Sequence, residues 1–191
     1  MRNRIPATLC GMASGVTASD SSAHVTLRLD VVPTPSARVA TGVPVLDHLV
    51  GLLAGHGSFD LALEIAPGNL GAEVAAAGRA LGEALAPVLR QPGARGFAAA
   101  TLPAVEALAL VAVEVSTAPC VHSNVDLTSV RVGGHGRDLV ASFLGQLAEG
   151  AGLTLHVRLL EGEDDQHVLD AIFKALGAAL GAAATVRSRK E

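Results

Sequence analysis

Apolar and polar positions change rhythm several times along the chain. "SAHVTLRLDVV" (22–32) alternates with the period of a strand that buries one face. "PVLDHLVGLLAG" (44–55) switches to helical spacing, with Val45, Leu46, Leu49, Leu52 and Leu53 on one side and Pro44 at its start. "SFDLALEIA" (58–66) alternates again. "AEVAAAGRALGEALAPVL" (72–89) reads as a helix disturbed at Pro87. "ALALVAVEVS" (107–116) and "VHSNVDLTSVRV" (121–132) read as strands. A helix over 137–150, a strand over 152–160 and a last helix over 165–184 complete the pattern.

The order helix–strand–helix occurs twice, and the residues repeat with it. "HLVGLLAGHGSFDLAL" (48–63) lies over "SFLGQLAEGAGLTLHV" (142–157), and "RALGEAL" (79–85) over "KALGAAL" (174–180), with one residue of slip between the matches. A repeat this long indicates duplication of a half-domain, not a solenoid of short units. The expectation is an α+β fold of duplicated β-β-α-β-α half-domains, 1–100 and 101–191, packed as one compact unit.

Composition narrows what such a fold can do. Half the residues are hydrophobic but only 2% are aromatic, without Trp or Tyr, so the core is aliphatic. With a formal charge of -4 and no stacking platforms, nucleic acid is not an expected partner. The basic "RSRK" near the end reads as a solvated terminus. No run is expected to span a membrane, and the start, "MRNRIPATLCGMASG", lacks the continuous apolar stretch of a signal peptide. Cys10 and Cys120 are far apart and without CxxC spacing, so reduced thiols in a cytoplasmic protein are expected.

The phrases "TGVPVLDHLVGLLAGHGSFDL", "NVDLTSVRVGGHGRDLVASFLGQLAEGAGLTLHVRLLEG" and "HVLDAIFKAL" together resemble the imidazoleglycerol-phosphate dehydratase family of histidine biosynthesis, in order, from about residue 20 to residue 180. The resemblance implies paired half-domains, trimers assembled into a cage, and a manganese-dependent lyase whose two metal ions sit between subunits and hold the imidazole of the substrate. Metal-bound imidazole stabilises an electron-rich intermediate while carboxylates move protons.

The resemblance also assigns ligand positions: a His on the first helix of each half, and a His-His pair followed three residues later by Glu on each second helix. Here those positions hold His48, Gly71, Ala72 and Ala75 in the first half, and Ser142, Gln166, His167 and Asp170 in the second. His48, His167 and Asp170 are therefore the candidate metal residues. At most one weakly bound divalent metal such as manganese is expected, and no catalytic residue is assigned. For phosphate, Arg95 remains where arginines are implied, Ala118 replaces another, and the late Ser-Thr-Lys-Gly segment has no clear match before "VRSRKE". Arg95 and Glu106 are the candidate substrate-binding residues. Asp20 stands for an acid near the first strand, and Asp47 and Glu106 join the possible acid–base groups.

Other histidines are expected to be structural or solvent-facing. His56 sits in the "HGSF" turn, His156 alternates within a strand, and His24, His122 and His135 lack supporting spacing. The i,i+3 spacing of His167 and Asp170 suits a site and an ordinary helix-face pair alike. Three functions follow: a non-catalytic scaffold or partner subunit, an enzyme of altered chemistry in a specialised pathway, or an active dehydratase in a mixed assembly. The expected partners are further copies of the chain or a paralogue, with a small-molecule ligand as the remaining candidate.

Overall fold

A computed structural model describes residues 15–20, 23–29, 37–127 and 139–186. Within these residues each half forms one four-stranded sheet and two helices. The first half runs β1 (Gly15–Asp20), β2 (Ala23–Leu29), β3 (Ala37–Ala40), α1 (Pro44–Gly57), β4 (Phe59–Ile65) and α2 (Leu70–Leu89). The second runs β5 (Phe97–Ala104), β6 (Ala107–Val115), β7 (Cys120–Ser123), α3 (Leu139–Ala151), β8 (Leu153–Glu161) and α4 (Asp165–Ala184). The sheet orders, β1-β2-β4-β3 and β5-β6-β8-β7, are the same topology twice. In both, the short third strand lies parallel beside the fourth and the other pairs are antiparallel.

The duplicated α+β architecture is the one the pattern predicts, with one more strand per half. β1, β3 and β5 escape the alternation rule: β3 has only four residues, and β5, "FAAATLPA", has alanine where strands usually carry branched side chains. β5 forms because β6 supplies a continuous antiparallel partner from Phe97↔Glu114 to Ala104↔Ala107. β7 ends at Ser123, far short of the strand expected over 121–132, and 128–132 lie outside the described residues. Pro87 does not end α2. It lies in the last turn, so the one N–H bond it forgoes, to Glu83 O, and any kink it causes affect only the final residues, and the helix continues to Leu89.

The layers run sheet, helices, helices, sheet. α1 and α2 cover one face of the first sheet, and α3 and α4 one face of the second. Between the halves the helices pair crosswise, α1 with α4 and α2 with α3. A Cβ on Gly177 would meet Leu53 O at 2.1 Å, and one on Gly181 would meet Gly57 O at 2.5 Å. The contact numbers rise together, so α1 and α4 run parallel. The same holds for α2 and α3, where Gly78 abuts Phe143 O and Gly82 abuts Leu147 O. Around these seams lies an aliphatic core that includes Leu49, Leu53, Leu81, Leu85 and Leu144, with Phe143 and Phe173 at its centre.

Contrary to the sequence expectation that no run is long and apolar enough to cross a membrane, among the described residues one helix, α4, meets that length and composition. Buried residues make up 67% of that window, which accounts for its hydropathy as a core helix packed on β5, β6 and α1.

Candidate functional site

Parallel pairing brings the starts of α1 and α4 together, and with them His48 and Asp170. His48 Nε2 lies 3.1 Å from Asp170 Oδ1. The histidine is half exposed and the carboxylate is 20% exposed. Gln166, one turn earlier on α4, donates to the same carboxylate oxygen at 2.7 Å.

His167 engages the other side of the site. Its Nδ1 is 2.5 Å from Glu106 Oε2, at the turn between β5 and β6, and 3.9 Å from Asp164 Oδ1. Asp164 caps α4, accepting from the Gln166 and His167 N–H groups at 2.9 and 3.1 Å. Its own N–H donates to Glu106 Oε1 at 3.2 Å. Glu106 thus ties the hairpin to the helix start. Its carboxyl is held below its ordinary range, first by its own backbone N–H, which desolvation opposes, then by the Asp164 N–H and His167. Val105, before it, takes φ 54°, a left-handed conformation rare for a β-branched residue.

Asp47 is committed to the fold. Its Oδ1 accepts from Thr41 N–H at 2.8 Å and Thr41 Oγ1 at 2.5 Å, fixing the buried threonine at the entry to α1. His56 Nδ1 bonds back to Leu52 O at 2.9 Å within α1. The side chains of Asp20 and His24 and all of Cys10 and His135 lie outside the described residues.

Arg95 is not brought to Glu106. It precedes β5 at the far end of the molecule, where its N–H donates to Thr185 O and the next residue, Gly96, donates to Ala183 O. Glu106 follows β5 beside the start of α4. A strand of this length separates them by roughly 25–30 Å. Ala118 lies at the Arg95 end, since the strand leading to it is tied there by Val115 N–H to Gly96 O at 2.7 Å. The metal-type positions and the phosphate-type positions therefore occupy opposite ends of one chain.

The other helix pair is different in kind. α2 and α3 place Gly71, Ala72, Ala75 and Ser142 where their counterparts on α4 and α1 are Gln166, His167, Asp170 and His48. None of the four offers an imidazole or a carboxylate. Among the described residues no three His, Cys, Asp or Glu side chains converge on a point as they stand. This donor set does not fit a pair of manganese ions held by eight ligands.

The molecule is thus a duplicated α+β sandwich whose candidate metal positions sit at crosswise helix pairs. A family model for imidazoleglycerol-phosphate dehydratase matches residues 41–180. The imidazoleglycerol-phosphate dehydratase of Desulforudis audaxviator is 38% identical over 172 residues, 87% of each chain. That of Aromatoleum aromaticum is 37% identical over 174 residues, 88% of this chain and 89% of the relative. Among solved structures, the Staphylococcus aureus dehydratase matches with a TM-score of 0.79 and 28% identity, covering 90% of this chain and 98% of the other. The Pyrococcus furiosus enzyme in complex with (S)-C348 matches at 0.75 and 26%, covering 91% and 96%. The chain belongs to the imidazoleglycerol-phosphate dehydratase family, lyases of histidine biosynthesis.

Proposed function

We propose that this chain is a non-catalytic member of that family, a cytoplasmic subunit that builds an oligomer with its own copies or with a ligand-complete paralogue. The observation that carries the reading is the α2–α3 pair, where all four metal-type positions hold Gly71, Ala72, Ala75 and Ser142. Supporting it, His48 and His167 each contact a carboxylate of the same chain. Ala118 removes a phosphate-type cation as well, and each lost charge-assisted contact costs on the order of 1.5–3 kcal/mol.

The test is rescue of a dehydratase-deficient, histidine-requiring strain by this chain alone. No growth without histidine is expected, and normal growth overturns the reading. Elemental analysis after dialysis is expected to find less than two manganese equivalents per chain. Light scattering at micromolar concentration is expected to show an oligomer, and a monomer would remove the scaffold role.

A second reading has its own support: the relatives are named as the enzyme, and the α1–α4 pair keeps His48, His167 and Asp170. In a mixed assembly a complete paralogue would supply the missing groups. Rescue only on co-expression with that paralogue's own site disabled would favour it. Altered chemistry through His48, His167 and Glu106 without two metals would appear as neither rescue nor metal, with a ligand captured at the α1–α4 end.

A further inference from the structure

The second sheet carries a cluster on the face away from the helices. β7 presents Cys120 and His122 two residues apart, so both side chains fall on the same face. Parallel pairing sets His156 of β8 abreast of His122, and Thr154 abreast of Cys120. Cys120 Sγ lies 3.2 Å from His122 Nε2 and 3.8 Å from Thr154 Oγ1. The two imidazoles stack with centroids 4.8 Å apart and 27° between their planes. Cys120 is half-buried and both histidines are exposed. Arg158, next along this face, donates Nη1 to His122 O and Val157 O, away from the thiol.

We propose that Cys120, His122 and His156 form a binding site for a borderline-soft divalent cation of the zinc type, with water in the fourth position. One thiolate and two imidazoles are the donors such ions select. Around a tetrahedral ion with bonds of about 2.3 Å to sulfur and 2.0–2.1 Å to nitrogen, those two donors stand roughly 3.5 Å apart. Cys120 Sγ and His122 Nε2 are already within a few tenths of an ångström of that spacing.

His156 is the donor that must turn. Its ring lies face-on to His122, and among the described residues it makes no hydrogen bond. Being exposed on the sheet face away from the helices, it is free to rotate a nitrogen toward the pair. The i,i+2 spacing along β7 and the single-strand step to β8 put the His122 attachment point about 5–7 Å from each of the other two, and the Cys120–His156 diagonal at about 7–8 Å. Glu114, on the same face, is two strands from Cys120 and is left out of the set. The site is independent of His48, His167 and Asp170, because the sheet lies between them. Binding releases the Cys120 thiol proton to solvent, so affinity falls as pH falls.

Cobalt(II) titration of the full chain tests this, in a Cys10→Ser background that leaves Cys120 as the only thiol. The expected result is a near-ultraviolet sulfur-to-cobalt charge-transfer band with the visible bands of a four-coordinate ion, both displaced by zinc. Cys120→Ser abolishes the charge-transfer band. Losing a direct ligand costs at least what losing an outer partner does, so His122→Ala and His156→Ala each weaken binding by about tenfold or more. His48→Ala and His167→Ala leave it unchanged. Circular dichroism checks that each variant folds. In the unsubstituted chain, zinc protects Cys120 from alkylation, read by peptide mass spectrometry. Cobalt bound without the band, a band indifferent to both histidine variants, or an unprotected Cys120 overturns the proposal.

Discussion

Asp47 and His48 are neighbours in sequence with divided tasks. Asp47 points back to Thr41 and holds the turn, while His48 reaches across to Asp170. Asp47→Ala strands the N–H of a threonine that is 2% exposed and leaves its hydroxyl only the longer bond to Val43 O at 3.4 Å. The expected cost is about 1–3 kcal/mol, read as a fall in Tm of roughly 2–4 °C per kcal/mol for a chain of this size. An unchanged melt would show that water replaces the carboxylate. Glu106 gives the pH prediction. Its folded value is depressed below 4.5, so its contribution is fully present above that pH and is lost as pH falls through the lower folded value. Glu106→Gln should narrow the melting difference from the parent chain progressively below pH 4.5, with the full difference at neutral pH. A difference that grows in acid would reverse the sign. None of these pairings is legible in the sequence, because Glu106 and His167 are joined only by the packing of a hairpin turn on a helix start. The Cys-x-His spacing of Cys120 and His122 on an alternating strand was a readable signal, but His156 joins them only through sheet register.

At the scale of elements, α1 and α4 were legible because their period agrees with tertiary burial, with Pro44 marking the start of α1. β5 was not, because its alanines say little until β6 is beside them. Crosswise pairing was equally hidden, although its means are visible as glycines. Gly177→Ala drives a Cβ into Leu53 O, and overpacking should cost about 1–3 kcal/mol despite alanine's better helix propensity. Gly145, in α3, is the control, with nothing within 4 Å of an added Cβ. Gly145→Ala should stabilise by about 0.5–1 kcal/mol. Chemical denaturation of the two variants should therefore move the midpoint in opposite directions, and a shared direction would mean that propensity, not the seam, decides.

For the whole molecule, the crosswise pairs mean that neither half covers its own helices. α1 and α2 sit on the first sheet, yet bury their other faces against α4 and α3. A chain cut in the turn near Gln91–Gly93 should therefore yield halves that are soluble together and aggregate apart. Co-purification of an untagged half with its tagged complement checks this, and two halves each monomeric and folded alone would refute it. The separation of Arg95 from Glu106 belongs to this scale as well. A ligand contacting both types of position would have to draw on more than one chain, since α4 and β5 each span the distance between them.

The parallel, crosswise helix pairs also bear on when the two junctions could come to differ. Two separate identical half-chains, associated in the same way, would make two identical helix junctions, and any substitution would strike both at once. In this chain one junction holds His48, His167 and Asp170, while the other holds Gly71, Ala72, Ala75 and Ser142. Such a one-sided difference becomes open to inheritance only once a covalent link gives each copy its own codons. Fusion thus separated the histories of two places that geometry still treats as twins.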